Sequence, residues 1–272
     1  MDDRPQTTDG RGISLPSSWA GRLSSVFHKA PDYEPLLLAA LLLAYSNGMT
    51  ALAYRGGRDP ERTYLFANPA VLLTMLLYAL KRAGGLRAVG LRRDGLVGSV
   101  AQGLGLGGLL SLVPILFFRR PVLLDTPLEF GPVANMSKRG LLLDVGMRVP
   151  VNIALMEEVA FRGLLYDALR MRYSERMAVV GSALVFAGWH FAVTYASVRQ
   201  TNLAMSARLP TPLQPLVQPI AVLGGMVSTG LAGAAFALLR RHTDNLAGPV
   251  AAHWLLDSLL IASLWYTSPR RK

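Results

Sequence analysis

Of 272 residues, 51% are hydrophobic and only 17% charged, with a formal net charge of +11 and a mean hydropathy of +0.34; charges fall between apolar runs rather than along them, which favours one polytopic membrane domain over one or two soluble ones. The basic residues form short loop clusters with neither aromatic interleaving nor zinc-finger spacing, which excludes nucleic acid and leaves anionic membrane lipids as their partner. The chain has no cysteine, which excludes disulfides, thiol nucleophiles and thiolate metal sites.

Residues 1–34 form a polar tail rich in Asp, Arg, Ser and Thr. It lacks the basic start and short apolar stretch of a cleaved signal peptide, so the first apolar run is expected to remain as an anchor. His28 lies in this tail and should be solvated. A span needs about 20 mostly apolar residues. Within a transmembrane domain at 35–269, seven segments meet that test: Leu36–Tyr54, Tyr64–Leu80, Leu96–Phe118, Leu141–Leu169, Met177–Ser197, Leu216–Leu239 and Leu246–Tyr266. All seven should be helical, because lipid offers no water to satisfy an open sheet edge. The expected fold is an all-α, polytopic transmembrane helical bundle of about seven spans.

Pro150 falls inside the fourth span, one to two turns before Glu157, where it is expected to kink the helix. The glycines at 103, 105, 107 and 108, and those at 224, 225, 230 and 233, lie inside spans. No preceding strand makes them a dinucleotide fingerprint, so close helix packing is their reading. Four prolines mark Arg199–Pro219 as an extended connection and a cover near one membrane face. With the N-terminus inside, the inner loops hold 14 Lys and Arg against 12 outside. That count, with Glu157 preceding and His190 following the fourth loop, puts the site on the face of the even-numbered loops. The expected location is the plasma (inner) membrane with the site facing the cytoplasm.

Ionisable residues inside three of these spans are the strongest functional signal, since at membrane depth each costs roughly 3 kcal/mol and normally faces a partner or cavity. Glu158 and Arg162 are four apart, on one helical face, with the acid first, the favourable order for an ion pair. Glu157 points about 100° away and is free to do other work. His190 follows Phe186 by one turn, and His253 stands four before Asp257, a spacing that lets a carboxylate fix the imidazole. Trp189 and Trp254, each beside a histidine, fit the wall of an apolar groove. His242, beside Arg241 in a basic turn, should be solvated.

Glu-Glu-x-x-x-Arg, Phe-x-x-x-His and His-x-x-x-Asp, in that order and each in its own apolar helix, resemble the CPBP family of intramembrane proteases. That family includes CAAX prenyl endopeptidases of the Ras-converting-enzyme type and the bacterial bacteriocin-processing and Abi proteins. The resemblance covers roughly Val151–Leu260, within a core at about 141–267; the first three spans carry no assignable motif. It implies an intramembrane endopeptidase acting on a membrane-anchored protein or peptide. Glu157 and His190 would activate water, His253 would stabilise the oxyanion with Asp257 beside it, and Glu158, Arg162 and Phe186 would support them. It also leaves a metalloprotease open, with Glu157, His190 and His253 as ligands of Zn²⁺. Position 257 is Asp where CAAX-processing enzymes more typically carry Asn, and an ionised Asp cannot donate to an oxyanion. The rival readings are a non-catalytic immunity or scaffold member of the family and a proton-coupled transporter. Intact Glu157, His190 and His253 speak against the first, and the lack of matching halves against the second.

Overall fold

The computed structural model describes residues 33–56, 60–119, 124–207 and 210–268. The expected tail to residue 32, with His28, lies outside the described residues. Among the described residues, eight helices longer than two turns build the fold: α1 (Glu34–Arg55), α2 (Pro60–Lys81), α3 (Leu96–Arg119), α4 (138–172), α5 (Glu175–Trp189), α6 (Phe191–Arg199), α7 (Val217–Thr243) and α8 (Ala247–Thr267). Among the described residues there is no strand, only two isolated antiparallel bridges, Leu124 with Ala207 and Phe130 with Thr201.

Among the described residues, six helical stretches are long and apolar enough to cross a membrane: Glu34–Arg55, Thr63–Lys81, Leu96–Phe118, Glu175–Arg199, Thr211–Thr243 and Ala247–Thr267. Large apolar side chains such as Leu36, Leu109, Val113, Leu184 and Leu231 are exposed on them, as a lipid-facing surface requires. The remaining predicted span is α4, whose middle carries Glu157, Glu158 and Arg162. It is the bundle's central helix, buried without interruption over residues 156–168 and packed against α1, α2, α5, α7 and α8. A helix buried on every side can hold charges that a lipid-facing helix cannot, provided its neighbours supply partners.

Local sequence explains several boundaries. The Ser137 hydroxyl accepts from Gly140 N at 3.0 Å and starts α4; Ser174 does the same for α5, accepting from Met177 N at 3.2 Å. Around Pro150, Asp144–Leu155 winds in wider i→i+5 turns, and Val159–Leu165 does so again. A proline lacks the N–H and crowds the preceding turn, and a widened helix accommodates both. Asp244 ends α7 in the left-handed region at φ 49°. Burial alone would raise its carboxyl, but the hydrogen bond from Arg240 and the charges of Arg240 and Arg92 hold it below the usual carboxylate range.

Small residues let α3 lie directly on α8. A Cβ on Gly103 would overlap the Gly248 carbonyl oxygen, and one on Gly107 would overlap that of Ala252. Far from the cavity described below, Arg82 joins Glu34 of α1 and Asp167 of α4 at 2.9 Å each. The described residues of the 199–219 connection are not simply extended: they include a helical turn at Leu203–Ser206 and a 3-10 helix at Thr211–Leu216. Asn202 staples it to the loop before α4, donating to the Pro127 carbonyl at 3.0 Å and accepting from Glu129 N at 2.9 Å.

Candidate active site

Consecutive residues of α4 send two carboxylates in different directions. Glu158, fully buried, places Oε1 where it accepts from Arg162 Nη1 at 3.0 Å and from His253 Nδ1 at 2.8 Å. The Arg162 guanidinium is itself packed among aromatic rings, with its central carbon 4.2 Å from the Phe186 centroid and 5.3 Å from that of Phe236. Those faces complement a cation whose Nε and Nη2 find no hydrogen-bond acceptor. Gly233 makes this packing possible: a Cβ there would stand 2.9 Å from both Arg162 Nη2 and Phe186 Cδ1. Gly233→Ala should therefore lower thermal stability by about 1–3 kcal/mol, measured by unfolding in detergent.

Glu157 faces the other way, 7% exposed, at the wall of a cavity of about 700 Å³. Its Oε1 accepts from Trp189 Nε1 at 3.2 Å. Its Oε2 makes no direct hydrogen bond, yet stands 3.7 Å from His190 Nε2 and 3.9 Å from His253 Nε2. The second nitrogen of each imidazole is committed. His190 Nδ1 meets the Phe186 carbonyl at 2.9 Å, so that nitrogen carries the hydrogen. His253 Nδ1 meets Glu158, and its Nε2 lies 3.4 Å from Asp257 Oδ2. The Phe186 ring sits edge-on to His190 at 4.5 Å between centroids, and Phe236 stacks on His253 at 5.4 Å.

All seven residues singled out in the sequence thus meet in one cluster: Glu157, Glu158, Arg162, Phe186, His190, His253 and Asp257. Trp189 does more than line a groove, since it donates to Glu157. Trp254 leaves the site and donates to the Val145 carbonyl at 2.8 Å. His242 is exposed at the end of α7, as expected. Missed entirely were the polar residues of α1, α2 and early α4 that share the cavity: Ser46, Thr50, Tyr64, Asn68 and Asn152. Asn68 and Asn152 clasp α2 to α4, with Asn68 Nδ2 donating to Asn152 O at 2.8 Å. An uncharged polar residue inside an apolar run was the available signal.

The direction of the cavity corrects the sequence expectation. It is lined by Tyr54 at the end of α1, Tyr64 at the start of α2, Phe130 and Pro132 before α4, and Gln200 after α6. These border the odd-numbered connections, so the cavity reaches toward the face opposite the even-numbered loops. Helix order along the chain set Glu157 before and His190 after the fourth loop, but the cavity they line is bordered by residues next to the first, third and fifth connections. The Lys and Arg count therefore no longer combines with the site's position into a cytoplasm-facing opening.

Among the described residues, no group of three or more His, Asp and Glu side chains is arranged to hold a metal ion. The Zn²⁺ alternative accordingly enters no step below.

Residues 140–259 match the family model of the type II CAAX prenyl endopeptidase Rce1-like proteins. This segment belongs to the Rce1-like family. It contains every residue of the cluster and sets it within a CAAX-type membrane endopeptidase family, so the resemblance read from three short motifs holds. Comparisons with curated proteins and with solved structures give no match. The Rce1-like segment begins near the start of α4 and stops within α8, so α1, α2 and α3 lie outside it.

Proposed function

We propose that this protein hydrolyses a peptide bond in a membrane-associated protein or peptide, using water activated by Glu157 and His190. The observation that carries the reading is Glu157 Oε2, a buried carboxylate oxygen with no direct partner, 3.7 and 3.9 Å from two imidazole nitrogens at a cavity wall. Distances above 3.5 Å are too long for direct bonds and suit a bridging water. With the hydrogen on Nδ1, the neutral His190 imidazole offers Nε2 as an acceptor, and water can donate to it and to Glu157 Oε2 at once.

In this mechanism the water oxygen attacks the scissile carbonyl carbon and its proton passes to Glu157. His253 donates from Nε2 to the developing oxyanion, with its Nδ1–H held by Glu158. Asp257 orients His253, a role an acceptor-only side chain can fill. Collapse of the tetrahedral intermediate breaks the C–N bond, and the proton held by Glu157 goes to the leaving amine. The products are a carboxylic acid and an amine, which leave as carboxylate and ammonium once the acid's proton passes to the amine. The apolar cavity walls, from Phe186, Phe236, Leu256, Leu260 and Ile261, fit a substrate carrying an apolar side chain or a lipid, and prenylated CAAX peptides belong in the trial set.

The test is cleavage of a diverse fluorogenic peptide set, prenylated peptides included, by the full chain in detergent. Glu157→Gln should lower kcat by about 10²–10⁴-fold with the fold intact. Equal rates in wild type and variant would overturn the mechanism. Measuring the metal content of the purified protein and its response to a chelator would separate direct glutamate chemistry from metal chemistry.

A further inference from the structure

Helix α5 ends at Trp189 and α6 begins at Phe191, so the helical stretch breaks at His190 in the interior of a membrane bundle. A helix end exposes backbone groups that must find partners, and lipid provides none. At this break each carbonyl has one. Phe186 O accepts from the His190 ring at 2.9 Å, and Ala187 O from the His190 backbone N at 3.2 Å. Gly188 O accepts from Asn47 Nδ2 at 3.1 Å, and Trp189 O from Ser46 Oγ at 2.8 Å. On the far side, the Ala192 N–H donates to Asn47 Oδ1 at 2.9 Å. The Asn47 amide therefore bridges the break, satisfying a carbonyl before it and an N–H after it.

The consequence falls on His190. In an unbroken α-helix the Phe186 carbonyl would accept the His190 backbone N–H, four residues on. Here that N–H bonds one residue later, to Ala187, and the freed Phe186 carbonyl accepts the imidazole Nδ1–H instead. This fixes the ring's tautomer and leaves Nε2 facing Glu157. It also lets the neighbouring Trp189 and His190 address the two oxygens of one carboxylate, although adjacent residues on a regular helix diverge by about 100°.

We infer that Asn47, assisted by Ser46, is a positioning residue for catalysis: α1 holds the α5–α6 break open so that His190 presents Nε2 to the reacting water. This rests on the proposed role of His190 and extends the working site to a helix outside the family-matched segment.

The experiment is a double-mutant cycle on the full chain, with Asn47→Ala, His190→Ala and both together, following peptide cleavage and thermal unfolding. Asn47→Ala should lower kcat by about 10²-fold with KM little changed, as expected for a catalytic group moved by about 1 Å. In the His190→Ala background the same change should alter kcat by no more than about twofold, because the effect acts through the ring already removed. Equal losses in both backgrounds, or none in either, would overturn the inference. Should Asn47→Ala fail to fold, Ser46→Ala removes the bond to Trp189 O, together with a side-chain hydrogen bond to Tyr64, and carries the same cycle, with a loss of roughly tenfold.

A readout independent of turnover is the ¹³C and ¹⁵N histidine spectrum, with the His190 signals assigned through His190→Gln. Asn47→Ala should shift His190 away from the Nδ1–H tautomer while leaving His253 in place. An unchanged His190 signal would overturn the inference. A wild type that cleaves nothing would sink the proposed protease reaction, and the spectra would then decide the role of Asn47.

Discussion

Arg162→Met should destabilise the folded protein by about 3–5 kcal/mol, the range seen when one partner of a buried ion pair is removed, and should abolish cleavage. Methionine refills much of the volume between Phe186 and Phe236 but leaves the Glu158 carboxylate, 0% exposed, without the cation at 3.0 Å. The damage reaches the reaction because the same Glu158 oxygen holds His253 Nδ1 at 2.8 Å. Adding Glu158→Gln to Arg162→Met should restore most of the lost stability, since no uncompensated buried charge from this pair remains. It should not restore cleavage, because a neutral amide is a poorer anchor for the histidine proposed to stabilise the oxyanion. Thermal unfolding in detergent, beside peptide cleavage, separates the two effects. A double variant as unstable as Arg162→Met would show that the penalty is lost packing around the aromatic rings rather than an orphaned charge.

The second large effect is expected at a glycine with no part in the chemistry. Gly103→Ala puts a Cβ onto the Gly248 carbonyl oxygen and 3.0 Å from Gly248 Cα. Both atoms are backbone, so no rotamer change can relieve the overlap, and α8 must shift as a body. Overpacking of this kind costs about 1–3 kcal/mol, with rigid backbone on both sides favouring the upper end. Because α8 carries His253 and Asp257, a displacement near 1 Å should also lower kcat by about 10²-fold. The control is Gly105→Ala, where an added Cβ meets nothing within 4 Å; its stability should stay within about 0.5 kcal/mol of wild type. Equal behaviour of the two alanine variants would mean that α3 does not constrain α8.

Much of the site was legible before any coordinates, for a definite physical reason. Lipid makes charge expensive, so Glu157, Glu158, Arg162, His190, His253 and Asp257 stood out against apolar runs. The i,i+4 spacing predicted the Glu158–Arg162 pair, which forms at 3.0 Å. The spacing of His253 and Asp257 likewise predicted their approach, found at 3.4 Å. Serine and asparagine carry no such penalty. Ser46, Asn47, Asn68 and Asn152 were therefore silent in sequence, although they line the cavity or bridge the helix break.

The sequence by itself determined an all-helical membrane protein, the residues of the buried polar cluster, and the separation of Glu157 from Glu158, because hydropathy and helical period are local properties of the chain. Three things were decided only by tertiary structure. The cavity reaches toward Tyr54, Tyr64 and Gln200, since its direction depends on how side chains of several helices converge. Helix α4 became the buried centre rather than one more lipid-facing span, because five neighbouring helices close around its charges. The orientation of His190 depends on Asn47, 143 residues away in the chain, because a broken helix in lipid is stable only where another helix satisfies its exposed backbone.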